Sequence, residues 1–138
     1  MTSPTRAEHK EDNAYCWVCR WEPWWYDGAQ SYGPNWLETH EIARGPARKK
    51  AVNEPCAWLV LCNHCHRDVI PSWPIARQLA LKKVRDLRHY DRVGVNRLRG
   101  RADEAITEEE VDRWVSVLQY HPDLVDNGES CEPDSQSA

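Results

Sequence analysis

The chain has 138 residues, and its hydrophobic content of 41% with eight Trp is enough for one modest core. The sequence has no run of about 18 apolar residues, and its polar start lacks the apolar stretch of a secretory signal. We therefore expect a cytoplasmic protein without a membrane segment. Cysteines stay reduced in that compartment, so paired cysteines among the six favour metal binding over disulfides.

The net charge of −4 conceals a strong segregation of charge along the chain. Residues 40–101 hold fourteen Lys and Arg against five Asp and Glu, whereas 102–138 hold one against eleven. The central basic block is typical of a surface that binds phosphate, although a solvated face is the simpler alternative. The acidic end would solvate the protein or compete for that basic surface.

The chain is expected to form one domain between two tails. Residues 1–14 and the acidic segment 122–138 are polar and predict disordered tails. Between them, 15–121 predicts a single domain, with a metal-stapled core over 15–70 and a helical extension over 71–121. We therefore predict an α+β fold.

Aromatic residues crowd the segment between Cys19 and Leu37, where Pro and Gly interrupt them, which predicts an aromatic loop. Its rings could stack on bases, but core or lid packing is the commoner use of Trp in a small domain. Two strands are expected next, over 36–42 and 57–61. A helix of about two turns should begin near Cys62 and stop by Pro71.

Two further helices are expected in the extension. From Pro74 a helical period places Ala76, Leu79, Ala80, Val84 and Leu87 on one side, beside an arc of basic residues. Another helix should start at Thr107, whose hydroxyl and the Glu110 carboxylate form a capping box. Its apolar stripe contains Val111, Trp114, Val115 and Leu118, and we expect it to serve packing.

The strongest chemical signal is a double cysteine pair, Cys16-x-x-Cys19 and Cys62-x-x-Cys65. Each two-residue spacer lets one turn present both sulfurs to one ion, and four thiolates suit a tetrahedral structural Zn²⁺. Disulfides, buried free thiols and redox pairs are the alternatives. Cys56 is interpreted as a small packed side chain and Cys131 as a tail thiol.

The segment Thr39-His-Glu-Ile-Ala-Arg-Gly45, followed by Leu59-Val-Leu-Cys-Asn-His-Cys-His66, resembles the HNH endonucleases with a ββα-metal fold and a four-cysteine zinc site. The resemblance covers roughly 15–70. It implies a metal-dependent endonuclease that hydrolyses DNA phosphodiester bonds and uses Mg²⁺ or another divalent cation beside the structural zinc.

Within that resemblance, His40, Glu41 and His66 take the catalytic positions. His40 and His66 would bind the catalytic cation, and one of His40 and Glu41 would be the general base. Which of the two is the base stays open. Alignment with the family motif gives His40 the metal-binding position, but a neutral imidazole is the better base near pH 7 and a carboxylate is the better ligand for a hard cation. The family's usual Asn position is occupied by Ala57, and Asn53 is the nearby residue expected to support the site.

DNA is the expected partner, with no membrane, no small-molecule cofactor and no prediction of oligomeric state. The candidate phosphate contacts are basic residues on the turn after the first strand and on the helix after Pro74: Arg44, Arg48, Arg77, Lys82, Arg85 and Arg88. Arg44 is the best placed to stabilise charge during attack. The alternative function is a zinc-stapled DNA-binding or interaction module that has weak activity or none.

Overall fold

A computed structural model describes residues 3–20, 37–43, 47–102 and 105–120. The described chain forms two compact units. The first contains 3–20, 37–39 and 60–72, and the second contains the described parts of 40–59 and 73–122. The predicted aromatic loop and the acidic tail with Cys131 lie outside the described residues.

Strands β1 (Leu37–Glu41) and β2 (Trp58–Cys62) form a two-stranded antiparallel sheet, which confirms the two predicted strands. Every residue of β2 is buried, which explains its continuous apolar sequence. In β1 the side chains alternate between two faces, so Glu38 and His40 share one face while Glu41 lies on the other.

The first unit begins with helix α1 (Arg6–Asp12), where a disordered tail was expected. A capping box explains its formation: the Glu8 amide donates to Thr5 Oγ1 at 3.1 Å, and the Thr5 amide donates to Glu8 Oε1 at 2.8 Å. The helix buries His9, whose ring packs edge-on against Trp17 with 5.8 Å between centroids. The segment was expected to be disordered because most of its residues are polar, but the buried His9 side chain holds the helix in place.

A helical segment follows β2, as predicted, but its turns are not α-helical throughout. Cys65–Val69 forms a π-helical turn and Ile70–Ser72 a 3₁₀ turn. Pro71 fits in the 3₁₀ turn because the first positions of a helix need no amide donor. The segment therefore extends one residue past the predicted stop.

The second unit is mainly helical, and its helices are α2 (Ala47–Ala51), α3 (Ile75–Arg85), α4 (Arg92–Leu98) and α5 (Glu108–Tyr120). Short 3₁₀ turns lie at Pro55–Ala57 and Leu87–His89. Helix α3 buries Leu79 and Ala80 as predicted, but it ends at Arg85. Leu87 lies beyond that end and is 66% exposed, so it does not belong to the apolar stripe.

Helix α5 packs against α3 and begins as the sequence predicts. The Glu110 amide donates to Thr107 Oγ1 at 3.2 Å, and the Thr107 amide donates to Glu110 Oε1 at 3.4 Å, which completes the capping box. Val111 and Leu118 are buried. No helix in the described part of the chain is both long and apolar enough to cross a membrane.

Candidate functional site

Four cysteines come together in the first unit. Cys16 and Cys19 lie in the turn after α1, Cys62 ends β2, and Cys65 begins the π-helical turn. Their four sulfurs all lie within 4.8 Å of one another, and Cys16, Cys62 and Cys65 are buried. The two pairs predicted from spacing therefore form one cluster.

The geometry of this cluster fits a metal ion. The Sγ atoms of Cys19 and Cys62 are 3.9 Å apart, and no disulfide joins any of the four cysteines of the cluster. A tetrahedral zinc with bonds of about 2.3 Å places its sulfurs about 3.8 Å apart, whereas a disulfide needs about 2.05 Å. The four cysteines could hold one ion, and their chemistry is compatible with structural zinc.

Backbone contacts fix both cysteine pairs. The Arg20 amide donates to the Cys16 carbonyl at 2.8 Å, and the Cys65 amide donates to Cys62 Sγ at 3.4 Å. The Trp17 amide also donates to the Val60 carbonyl at 2.9 Å, which ties the first pair to β2. Burial acts to raise the pKa of Cys16, but hydrogen bonds within the cluster, led by the one from Cys19, leave that pKa below its ordinary value.

His66 lies directly after Cys65 and contacts a residue that the sequence did not single out. Its Nδ1 is 2.8 Å from Oε1 of Glu38, and each side chain is about a third exposed, at 30% and 31%. A carboxylate oxygen only accepts, so the ring donates through Nδ1–H, and the lone pair of the neutral form is then on Nε2. Carboxylates orient metal-binding histidines in this way.

His40 and Glu41, the predicted catalytic pair, both belong to the second unit. His40 Nε2 is 2.9 Å from Oε1 of Gln78, whereas Glu41 is only 8% exposed. Because adjacent strand residues point to opposite faces, the two side chains lie on opposite faces of β1. His66, the third predicted catalytic residue, belongs instead to the first unit.

The supporting position predicted at Asn53 is an exposed turn after α2. Ala57, at the family's usual Asn position, is fully buried and packs with Ala43 and Ala51. Its carbonyl accepts from the Ile42 amide at 2.7 Å, a backbone bond that joins the segments on either side of α2. The partly buried Leu98 packs against the same cluster.

The candidate phosphate contacts on α3 differ in how far their side chains are buried. Lys82 is fully buried, and its Nζ donates to Asp86 Oδ2 at 2.8 Å and to the Trp58 carbonyl at 2.9 Å. Burial lowers the pKa of Lys82, and Asp86 acts against that effect. A phosphate contact by Lys82 is not compatible with this position. Its charge stabilises the fold instead.

Arg77 stacks on two aromatic rings, with its Cζ atom 3.9 Å from the Trp73 centroid and 5.0 Å from that of Trp114. This arrangement packs its guanidinium against α5. Arg85 is half-buried and Arg88 is exposed. Arg44 and the side chain of Arg48 lie outside the described residues, so those two predictions stay untested.

Sequence reasoning missed Glu38 and Gln78, the partners of the two candidate histidines. Period-two alternation in β1 could have found Glu38, since it shares a face with His40. Gln78 gave no such signal, because a polar residue in an amphipathic helix is ordinarily interpreted as solvent-facing.

No family model, curated protein or solved structure matches this chain. The resemblance to HNH endonucleases therefore depends on the motif residues alone.

Proposed function

We propose that this chain is an HNH-type endonuclease that hydrolyses DNA phosphodiester bonds with a divalent cation, on a ββα-metal core stapled by zinc. The observation that carries the proposal is the position of His66. It follows a zinc-type cysteine directly, and Glu38 contacts its Nδ1, so a neutral ring would carry on Nε2 the lone pair that binds the cation. This arrangement is typical of a metal-binding histidine.

The residues around the cation would divide the chemistry. His66 would bind Mg²⁺ or Mn²⁺, and the motif resemblance gives His40 the role of second ligand or base. The bound cation would supply charge stabilisation at the phosphate oxygens. The general base would take a proton from water and the water oxygen would bond to phosphorus. The bond from phosphorus to the leaving ester oxygen would break, and that oxygen would take a proton from solvent. His40 suits the role of base because a neutral imidazole accepts a proton near pH 7.

DNA binding is supported by charge. The block 40–101 carries an excess of nine positive charges, and Arg88 within it is an exposed side chain. A surface of this kind binds DNA mainly through the phosphate backbone, without sequence preference. The substrate class we propose is therefore DNA recognised through its backbone.

Plasmid cleavage tests the proposal. The parent protein should nick or cut plasmid DNA with Mg²⁺ or Mn²⁺ and not with EDTA, and His66→Ala should lower the rate by about 100-fold or more. His64→Ala is the matched control, because His64 lies on the same turn and pairs with Asp68 at 3.2 Å. His40→Ala and Glu41→Ala should each also be inactive.

One observation favours a second function. The buried Ala57 replaces an Asn that the family uses in its active site, which would allow a DNA-binding module without chemistry. Tight, salt-dependent DNA binding with no cleavage across several divalent cations would select that function and exclude the enzyme.

A further inference from the structure

Gln78 contacts His40, one of the two candidate catalytic histidines, from the second turn of α3. It is 2% exposed, and both ends of its amide make hydrogen bonds. Nε2 donates to the Trp73 carbonyl at 3.1 Å, and Oε1 lies 2.9 Å from His40 Nε2. A buried amide with two partners has a fixed orientation, because a reversed amide would bring two acceptors together at Trp73.

This fixed orientation determines the protonation of the His40 ring. The Trp73 carbonyl can only accept, so the Gln78 NH₂ group must face it and the amide oxygen must face His40. An amide oxygen is also only an acceptor, so His40 Nε2 must carry hydrogen. In the neutral ring the lone pair then resides on Nδ1.

We propose that Gln78 is a positioning residue that holds His40 as the Nε2–H tautomer, which places the lone pair of the neutral ring on Nδ1. The inference rests on the proposed nuclease function only for its consequence, since Nδ1 would then take the proton from water or bind the cation. The tautomer itself is a property of the free protein. His66 differs, because its contact with Glu38 leaves the lone pair on Nε2.

Nitrogen-15 NMR of the zinc-loaded protein, without other divalent cations or DNA, reads the tautomer directly. The spectrum is recorded at about pH 8.5, where an ordinary imidazole is neutral. The His40 signals are assigned by their loss in His40→Ala. The parent ring should be protonated at Nε2 and bare at Nδ1.

Two substitutions isolate the contact. Gln78→Leu and Gln78→Glu both remove the donor to the Trp73 carbonyl, but only Glu keeps an acceptor for His40. The ratio of Nε2–H to Nδ1–H forms should fall about tenfold in Gln78→Leu and stay high in Gln78→Glu. Amide spectra and zinc content show whether each variant is folded. If Gln78→Leu does not fold, the parent spectrum still decides the tautomer.

A parent ring protonated at Nδ1, or a ratio unchanged in a folded Gln78→Leu, would overturn the inference. Where the parent cleaves DNA, Gln78→Leu should lower kcat by about 10- to 100-fold with little change in KM. The predicted tautomer without cleavage would leave the positioning role intact and refute the nuclease. If the protein cleaves DNA and loses cleavage in His40→Ala, but the His40 ring carries its hydrogen on Nδ1, the nuclease stands and the positioning role of Gln78 is refuted.

Discussion

Lys82 and Arg88 show that two basic residues close together in sequence can serve different purposes. Lys82 is fully buried and bonded to Asp86, whereas Arg88 is exposed in the 3₁₀ turn after α3. Replacing Lys82 removes one of the hydrogen-bond partners of the Asp86 carboxylate. Lys82→Met should therefore lower the free energy of unfolding by about 3 kcal/mol, as measured by urea denaturation.

Arg88→Gln should act on DNA binding instead. Each phosphate contact releases condensed counterions, so losing one should reduce the slope of log K against log salt by about one. Fluorescence anisotropy across a salt series measures that slope. An unchanged slope with unchanged affinity would show that Arg88 faces away from DNA, and a slope altered by Lys82→Met in folded protein would contradict its buried role.

Cys56 should be an unreactive thiol. Burial raises its pKa to about 11, and the nearby Asp91 and Glu54 add to the shift. At pH 8 its thiolate fraction would be about one in a thousand, against about a quarter for an ordinary cysteine. In a Cys131→Ser background, iodoacetamide should therefore alkylate Cys56 at least about 100-fold more slowly than a cysteine in an unstructured peptide, because the rate follows the thiolate fraction. A peptide-like rate, located at Cys56 by mass spectrometry, would contradict this.

At the scale of secondary structure, a shared carboxylate links α5 to residues of α3 and α4. Glu108 accepts from Lys83 and from Tyr90, each at 2.8 Å, and from Arg92 at 3.2 Å. Burial acts to raise the pKa of Glu108, but hydrogen bonds from Lys83 and Tyr90 outweigh it and leave that pKa below its ordinary value. A lowered folded-state pKa means that stability is gained above the unfolded pKa and lost as pH falls.

Glu108→Gln should therefore destabilise the protein at neutral pH by about 1 kcal/mol, a value kept small because the side chain is 44% exposed. The difference from the parent should begin to shrink below about pH 4.3, where the carboxylate of the unfolded chain becomes protonated, and should vanish once the pH falls below the lower pKa of the folded state. Thermal melts at several pH values measure it. Glu109→Gln, on the exposed side of the same turn, is the matched control, and an equal loss in both variants would refute the specific role of Glu108.

The elements that could be predicted from the sequence are those determined by residues close together in the chain. The strands followed from short apolar runs, and the start of α5 followed from the spacing of Thr107 and Glu110. Helix α1 was missed because its anchor is one buried histidine, which tertiary contacts determine. Helical periodicity also extended the apolar side of α3 to Leu87, although the helix ends at Arg85.

The site was predictable to the same degree. Paired spacing identified the four cysteines, and their sulfurs form one cluster. The partners Glu38 and Gln78 were missed because each contact joins residues 28 or 38 positions apart. Side-chain burial decided against Lys82 as a phosphate contact. Its i+4 partner Asp86 is visible in the sequence, but the Trp58 carbonyl, 24 positions away, is not.

At the scale of the whole molecule, the metal is expected to hold together segments that are far apart in the chain. Cys16 and Cys65 are separated by nearly fifty positions, yet their sulfurs belong to one cluster. A structural zinc contributes on the order of 10 kcal/mol, comparable to the entire stability of a small domain. Chelation, or acid that protonates the thiolates, should therefore unfold the first unit.

Native mass spectrometry of the purified chain measures whether the four-cysteine cluster holds zinc. We expect one zinc ion bound per chain, lost in Cys62→Ser and retained in Cys56→Ser, because only the former removes a ligand of the cluster. A parent mass without metal would contradict it. So would a metal-free mass lacking two hydrogens for each disulfide formed, since the four sulfurs would then be oxidised pairs.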